Sequence, residues 1–248
     1  AGKSLASMAG KYLKKSVLEL GGSDPYIILE DADLDKAVRL CVTSRLLNAG
    51  QSCIAAKRFI VVDQVYDVFC EKFRNAMGES RFGDPFDESV TMGPLARTDL
   101  RDELHGQVIR SVEMGAVLSL GGIIPAGKGA FYPATVLENV SPGMPAYSEE
   151  LFGPVAAIIK ARNEKEAVEI ANDTEFGLGA AVFTRNLEKG RLLAEDLMDA
   201  GCCFVNDFVR SDPRLPFGGI AESGYGRELS SFGIREFVNI KTVVVNNP

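Results

Sequence analysis

The chain has 248 residues, of which 46% are hydrophobic, and carries a net charge of −7. That length and composition allow a substantial core in one large domain or two modest ones. No run of lysine and arginine stands out and no apolar run is long enough to span a bilayer, so nucleic acids and anionic membranes are poor partners. Five cysteines without a CxxC spacing, beside one histidine, argue against a disulfide framework or a metal site and favour a reducing, cytoplasmic compartment.

The first fifteen residues place Leu5, Met8 and Tyr12 on one face of a helix. The segment is basic, lacks acidic residues and does not begin with methionine. We therefore expect the tail end of a packed helix, in a chain that begins in the middle of something larger.

Short buried strands and amphipathic helices alternate through the first half of the chain. Apolar runs predict strands at 17–20, 26–29, 58–63 and 117–120. Helical spacing predicts helices over 34–50, 65–77 and 100–112, the first of them beginning among acidic residues and running up to a glycine.

The second half is more regular, with strands predicted at 155–159, 179–183 and 202–206 and helices at 164–172 and 187–197. Strands that alternate with helices of this length indicate right-handed βαβ crossovers and a largely parallel sheet. A Gly- and Pro-rich loop over 210–226 is long enough to suggest a functional role. A short helix at 232–237 and a strand at 239–245 end the chain; that strand has no hairpin partner, so it would complete a sheet elsewhere or in another subunit.

Residues 48–53 (Asn-Ala-Gly-Gln-Ser-Cys) lead from the end of a helical pattern to a cysteine among small and polar residues. Thiolate is the reactive form of cysteine, and a turn rich in backbone N–H groups favours its ionisation. Cys53 is therefore a candidate nucleophile. The alternative is that Cys53 fills space as a small apolar residue.

Two acidic positions are candidates to assist such a cysteine. Glu19 lies between two leucines in an apolar strand, where burial would raise its pKa and suit it to act as a general base toward water. Alternatively, its side chain points out of a strand edge or pairs with an arginine. Glu149 and Glu150 lie at the start of a turn before a strand, where a carboxylate could accept hydrogen bonds from sugar hydroxyls. The alternative, and the more common case for two adjacent glutamates in a loop, is that both side chains are solvated.

Four short motifs follow one another along nearly the whole chain. They are Leu-Glu-Leu-Gly-Gly at 18–22, Asn-Ala-Gly-Gln-Ser-Cys at 48–53, Glu-Leu-Phe-Gly-Pro at 150–154, and Pro-Phe-Gly-Gly at 216–219 with Ser-Gly-Tyr-Gly-Arg-Glu at 223–228. In this order they resemble the aldehyde dehydrogenase superfamily, specifically its catalytic domain and closing strand. The chain lacks a G-x-G-x-x-G fingerprint after a strand, which agrees with most of the coenzyme-binding domain being absent.

The resemblance implies a three-layer α/β fold with an open, largely parallel sheet and a C-terminal oligomerisation strand. Residues 1–22 would be the remnant of the coenzyme-binding domain, 23–226 the catalytic domain, and 227–248 the C-terminal helix and oligomerisation strand. The full-length protein would be a homodimer or homotetramer.

The same resemblance assigns catalytic roles. Cys53 would add to the aldehyde to give a thiohemiacetal and then a thioester, and its backbone N–H would supply half of an oxyanion hole. Glu19 would act as the general base for hydrolysis of the thioester. Glu228 would belong to a proton relay.

Roles in binding are implied in the same way. The cofactor would be NAD or NADP, with Glu150 on a ribose, Phe152 beside the nicotinamide and the carbonyl of Leu20 near its amide. Phe217 would line the channel for a small aldehyde. No metal ligands are expected.

The amino-acid sequence of the segments 18–25, 55–59, 92–97 and 172–178 looks most like that of the succinate-semialdehyde dehydrogenase branch. Ser211 falls where that branch uses a serine against the substrate carboxylate. Leu47, however, occupies a position where some members place an arginine for the same carboxylate. Arg210 or Arg214 would substitute for it, or both are solvated loop residues.

Two other functional hypotheses remain open at the level of sequence. Without a coenzyme domain, the chain would be a catalytically inert structural or oligomer-forming fragment. Alternatively, Cys53 would serve a cofactor-independent thiol esterase.

Overall fold

The computed structural model describes residues 1–248. The helices are α1 (Gly2–Lys11), α2 (Leu34–Leu46), α3 (Tyr66–Gly78), α4 (Thr98–Glu113), α5 (Pro145–Ser148), α6 (Glu164–Asn172), α7 (Leu187–Leu192) and α8 (Ser230–Glu236). The strands are β1 (Leu18–Glu19), β2 (Pro25–Ile28), β3 (Arg58–Val62), β4 (Val117–Leu120), β5 (Thr135–Glu138), β6 (Val155–Ala161), β7 (Phe176–Gly177), β8 (Gly179–Phe183), β9 (Cys202–Val205), β10 (Ile220–Ala221) and β11 (Gly224–Tyr225). None of the helices combines the length and apolar character needed to cross a membrane.

Seven strands form one sheet in the order β4-β5-β6-β3-β2-β8-β9. All neighbouring strands in it run parallel except β4, which pairs antiparallel with β5 at the edge. The predicted open, largely parallel sheet is therefore confirmed. Its connections place helices on both faces, as expected of βαβ units.

The side chains of the central strands alternate between two apolar clusters, one on each face of the sheet. In β3, Phe59 and Val61 belong to the cluster that packs against α2 and α3. Ile60 and Val62 belong to the cluster with α4, α6 and the turn that follows α7. All five residues of β3 are buried. This alternation produces the three layers that the resemblance implied.

Polar caps begin several of the helices. Asp33 accepts a hydrogen bond from the backbone N–H of Lys36 at the start of α2, and Asn163 and Asn186 cap α6 and α7 in the same way. Such caps satisfy N–H groups that lack a partner within the helix, which explains why these helices begin where they do.

Two short antiparallel ladders lie outside the main sheet. β1 pairs with β11, with Leu18 opposite Tyr225 and Glu19 opposite Gly224. β7 pairs with β10. Together they fasten the Gly- and Pro-rich loop, predicted at 210–226, to the edge of the molecule that carries residues 18–22.

The helix predicted over 34–50 ends earlier than expected. α2 stops at Leu46, and residues 47–50 form a separate short turn in which Asn48 and Ala49 have positive φ angles of 52° and 54°. Because the left-handed region is incompatible with a continuing α-helix, the chain changes direction before it reaches Cys53. β5 was not predicted from the sequence. The helix predicted over 187–197 divides into α7 and a wider π-helical turn, Leu193–Leu197.

The strand predicted at 239–245 is not present. Residues 239–248 form neither helix nor strand and make no hydrogen bond within the chain. A strand requires a hydrogen-bonded neighbour, and the chain offers none to this segment. Its apolar side chains are left exposed, with Ile240 81% and Val245 85% accessible.

Candidate active site

Cys53 lies on the loop that joins the turn at 47–50 to β3. Its thiol is free and partly exposed. Glu150 precedes β6 as Cys53 precedes β3, and Asp24 lies immediately before β2. Because β2, β3 and β6 are parallel neighbours, these residues meet at the N-terminal edge of the sheet.

Two buried cations hold the Cys53 loop in place. Arg45 on α2 donates a hydrogen bond from Nη2 to the carbonyl of Gly50 at 2.7 Å. Lys57, at the start of β3, donates from Nζ to three loop carbonyls, those of Ser52 at 3.3 Å, Cys53 at 3.0 Å and Ala55 at 3.1 Å. Both cations are fully buried, so the loop is shaped by charged groups that water cannot reach.

The electrostatic surroundings of Cys53 differ from those expected of an exposed turn. Burial raises the pKa of the thiol, and the carboxylates of Asp24 and Glu150 raise it further. Lys57 is the main influence in the opposite direction, with the backbone N–H of Ile54 also favouring the thiolate. Desolvation therefore outweighs the backbone N–H groups of the turn, so the turn alone does not lower the pKa of the Cys53 thiol.

Glu150 points toward the Cys53 loop. Its Oε1 accepts a hydrogen bond from the backbone N–H of Gly22 at 3.0 Å and lies 3.6 Å from Lys57 Nζ. Its second carboxylate oxygen, Oε2, accepts no hydrogen bond within the chain. The ring of nearby Phe152 is 41% exposed. A cavity of about 270 Å³ opens beside these two side chains; it is lined by Leu100, Glu103, Leu104, Gln107, Glu150 and Phe152.

Glu19 turns its carboxyl group inward. Both carboxyl oxygens are buried and have no hydrogen-bond partner. Burial is the main cause that raises the pKa of Glu19 to about 7; the nearby charge of Glu228 adds to the increase, and Arg227 opposes it. The side chain thus neither points out of the strand edge nor forms an ion pair, and the expected rise in its pKa is present.

The loop that ends at Glu228 closes over Glu19. Phe217 and Glu228 form an antiparallel bridge through two backbone hydrogen bonds of 2.9 and 2.8 Å. Phe217 is buried and Glu228 is exposed. A side-chain carbon at Gly218 would lie 2.9 Å from Glu19 Oε1, so only glycine leaves room for the carboxyl group at this point.

Gly21 and Gly22 connect the surroundings of Glu19 with those of Cys53. Leu20 donates its backbone N–H to the carbonyl of Ser223 at 3.1 Å, and the Ser223 hydroxyl donates to the carbonyl of Gly21 at 2.7 Å. A side-chain carbon at Gly22 would lie 2.8 Å from the carbonyl oxygen of Cys53. The two groups of residues therefore pack together through the backbone, although no hydrogen bond joins the Cys53 thiol to Glu19.

Ser211 lies on an exposed part of the loop and makes no hydrogen bond to the other predicted site residues. The arginines on either side are already paired, Arg210 with Asp207 at 2.7 Å and Arg214 with Asp212 at 2.6 Å.

The charged residues behind the site were not predicted from the sequence. Asp24 is buried, which raises its pKa to about 7, and its Oδ1 accepts the backbone N–H of Gly179 at 3.0 Å. Arg58 is also buried and donates to carbonyls at 23, 170 and 171, next to the end of α6. One signal was available: Arg45 continues the apolar spacing of Val38 and Val42 on α2, so its side chain must enter the core.

The chain belongs to the aldehyde dehydrogenase family. The model of that family matches residues 1–243, nearly the whole chain. The fold and the residues gathered around Cys53 fit that assignment.

The chain is also similar to individual proteins of this family. The chain is 52% identical over 243 residues to the succinate semialdehyde dehydrogenase [NAD(P)+] Sad of Escherichia coli K12, covering 98% of this chain and 52% of that protein. It is 51% identical over 243 residues to succinate-semialdehyde dehydrogenase [NADP(+)] 1 of Mycobacterium tuberculosis H37Rv, covering 98% of this chain and 53% of that protein. The chain thus spans about half the length of these relatives.

A solved structure agrees with these sequence matches. The succinic semialdehyde dehydrogenase of Streptococcus pyogenes, in complex with NADP+, superposes with a TM-score of 0.95 at 42% identity. The match covers 99% of this chain and 54% of that one.

Proposed function

We propose that this chain supplies the catalytic half of an NAD(P)-dependent dehydrogenase that oxidises a small aldehyde to a carboxylate. The observation that carries the proposal is the inward carboxyl group of Glu19. It has no partner and a pKa near 7, and it is linked through Gly21 and Gly22 to the loop that presents Cys53. A nucleophile and a base so arranged suit the formation and hydrolysis of a thioester.

The residues of this chain divide the chemistry between them. Cys53 attacks the aldehyde carbonyl to form a thiohemiacetal, while its backbone N–H donates a hydrogen bond to the developing oxyanion. Once oxidation has produced the thioester, Glu19 in its ionised form takes a proton from water, which attacks the acyl carbon and releases the carboxylate. Glu228, exposed next to Glu19, passes that proton on toward solvent.

The residues near Cys53 fit the nicotinamide end of the cofactor. Glu150 Oε2 is free to accept a hydrogen bond from a ribose hydroxyl, and the exposed ring of Phe152 offers an apolar surface beside a cavity. The carbonyl of Leu20 lies on the same segment as Gly22, which contacts Glu150. NAD or NADP, when bound, supplies the acceptor for the hydride.

Succinate semialdehyde is the aldehyde that we propose as substrate. The proposal draws on the relatives named above and on Ser211, which lies between Arg210 and Arg214 on the loop that leads to Phe217. Phe217 would line the channel to Cys53. A cytoplasmic location and assembly into a homodimer or homotetramer belong to the same proposal, supported by the five free cysteines and the exposed apolar segment after α8.

The test is to combine this chain with the coenzyme-binding half of the E. coli relative, as a fusion, and to measure reduced cofactor formed from succinate semialdehyde. We expect turnover with NAD or NADP from the fusion and none from the chain alone. Cys53→Ala should abolish turnover. Glu19→Gln should leave a single rapid burst of reduced cofactor followed by slow turnover, because only hydrolysis of the thioester needs the base.

The alternatives give different results in the same experiment. A fusion that binds cofactor but shows no turnover would support an inert structural fragment. Cofactor-independent hydrolysis of an activated ester by the chain alone, lost in Cys53→Ala, would instead support a thiol esterase.

A further inference from the structure

Lys57 is a buried charged residue whose hydrogen bonds are all made to one loop. It is fully buried, and the three hydrogen bonds of its Nζ all go to carbonyls of residues 52–55, the segment that contains Cys53. The nearest carboxylate oxygen, Glu150 Oε1, lies 3.6 Å away, beyond an ordinary hydrogen bond. Lys57 thus combines an ion pair with Glu150, as is usual for a buried lysine, with three hydrogen bonds to the loop of the nucleophile.

The charged groups around Lys57 come from several elements. Burial is the main cause that lowers the pKa of Lys57 to about 8, and Arg45 on α2 lowers it too. Asp24 before β2 and Glu150 before β6 act in the opposite direction and favour the ammonium form, as does the thiolate of Cys53. Lys57 therefore carries its charge at neutral pH, next to the one thiol that the proposed chemistry uses.

We propose that Lys57 is a positioning residue for Cys53. Its buried ammonium binds the three carbonyls of the loop, which fixes the place of the thiol, and its positive charge favours the thiolate over the thiol. The proposal rests on Cys53 being the nucleophile of the proposed function. The lysine itself contacts neither substrate nor cofactor in this role.

Charge balance at the thiol supports this assignment. Among the charged groups that act most strongly on Cys53, Lys57 is the cation, and Asp24 and Glu150 are carboxylates that disfavour a second negative charge nearby. Loss of the lysine would leave burial and two carboxylates to oppose ionisation, with only a backbone N–H in its favour.

The experiment measures the reactivity of Cys53 in the 248-residue chain as a function of pH. Lys57→Met removes both the charge and the donors, whereas Lys57→Gln removes the charge but keeps an amide donor. Iodoacetamide alkylation is followed by mass spectrometry of the peptide that contains Cys53, which separates it from the other four cysteines. We expect both variants to raise the midpoint of alkylation by about one pH unit, which corresponds to an about tenfold slower reaction below the midpoint.

A matched control is Lys160→Met. Lys160 also lies on a central strand, but it is half-exposed and paired with Asp63 rather than with the Cys53 loop. Its replacement should leave the midpoint unchanged. If both Lys57 variants lower the unfolding temperature but leave the midpoint where it was, Lys57 is only structural and the proposal is wrong.

Glu150→Gln provides a second test should the Lys57 variants fail to fold. It removes the carboxylate that faces both Lys57 and the thiol, so the midpoint should fall; an unchanged or higher midpoint would count against the proposal. Because alkylation needs neither aldehyde nor cofactor, these results are independent of dehydrogenase activity. A shifted midpoint in a chain whose fusion shows no turnover would overturn the proposed function and leave the role of Lys57 intact.

Discussion

Glu19 is a carboxyl group that the fold buries without giving it a partner. Burying an ionised carboxylate is costly, so the protonated form is favoured and the pKa rises to about 7. The residue therefore changes charge near neutral pH, which suits a group that must take up and release a proton. The titration of Glu19 should therefore make the stability of the protein depend on pH.

Replacing Glu19 by glutamine should stabilise the chain at alkaline pH but not at acidic pH. The folded-state pKa of about 7 exceeds the usual value of 4.5, so stability due to protonated Glu19 is present below about pH 4.5 and is lost as the pH rises through about 7. Glutamine resembles the protonated acid and does not titrate. Thermal unfolding at about pH 4 and about pH 8.5 should give equal midpoints at the lower pH. At the upper pH the variant should unfold a few degrees higher, since 1 kcal/mol corresponds to roughly 2–4 °C at this size and partial exposure limits the effect.

The control for this prediction is Glu222→Gln. Glu222 is exposed and pairs with Lys3 on the surface, so its replacement should have almost no effect at either pH. A Glu19→Gln variant that is equally stabilised at both pH values would show that the gain has another origin than the titration of Glu19.

Residues that lie in short contiguous motifs could be predicted from the sequence, and residues whose role depends on tertiary pairing could not. Cys53, Glu19 and Glu150 each belong to a recognisable run of five or six residues. Lys57 and Asp24 are residue types that usually lie at the surface. The fold shows that both are buried and that the charge of Asp24 raises the pKa of Lys57. Sequence patterns report periodicity, but they do not report which distant groups neutralise a buried charge.

At the scale of elements, the turn between α2 and β3 positions the site. Asn48, Ala49 and Gly50 have successive positive φ angles of 52°, 54° and 73°, which turn the chain out of the helix and toward the N-terminal edge of the sheet. The apolar spacing up to Leu46 predicted the helix correctly but placed its end one turn too late, because Gly50 was the only strong terminator in view. Similarly, β5 is short and follows Pro133, so its apolar run is too brief to be recognised.

Gly50→Ala should destabilise the chain considerably more than Gly127→Ala. Both glycines have positive φ angles, so alanine costs about 1–2 kcal/mol of backbone strain at either position. At Gly50 a side-chain carbon would also collide with the carbonyl of Gly153 and approach Arg45, whereas at Gly127 nothing lies within 4 Å. This crowding should lower the free energy of unfolding of Gly50→Ala by a further amount of about 1–3 kcal/mol, as expected for overpacking. Thermal or urea unfolding should therefore show a clear difference between the two variants.

The comparison also tests whether the turn controls the site. Alkylation of Cys53 should be altered in Gly50→Ala, because Arg45 and the Gly50 carbonyl hold the loop through one hydrogen bond. It should be unchanged in Gly127→Ala. Equal losses of stability in the two variants would mean that the close approach of Gly153 to Gly50 contributes nothing.

At the scale of the whole molecule, the strands of the core have hydrogen-bonded partners within the chain, whereas the C-terminal segment has none. The seven-stranded sheet carries two apolar clusters. Its largely parallel character was predicted from strands that alternate with helices, since these strands find their partners within the chain. Residues 239–245 have an equally strand-like composition, but no partner is available in the chain. A local pattern can indicate that a segment favours a strand, but it cannot supply the neighbouring strand that the hydrogen bonds require.

Deleting residues 239–248 should therefore leave the unfolding temperature unchanged at concentrations where the intact chain is monomeric. These residues make no hydrogen bond within the chain, and the side chains of Ile240, Val243, Val244 and Val245 are between 69% and 85% exposed. If the segment pairs between subunits, as we propose, the deletion should also lower the mass measured by light scattering to that of a monomer. A variant that keeps the length but carries Val243→Asp and Val245→Asp should dissociate in the same way, because charged side chains disfavour strand pairing across an apolar interface. Lower thermal stability of the monomeric deletion variant, at concentrations where the intact chain is also monomeric, would instead show that the segment packs on its own chain.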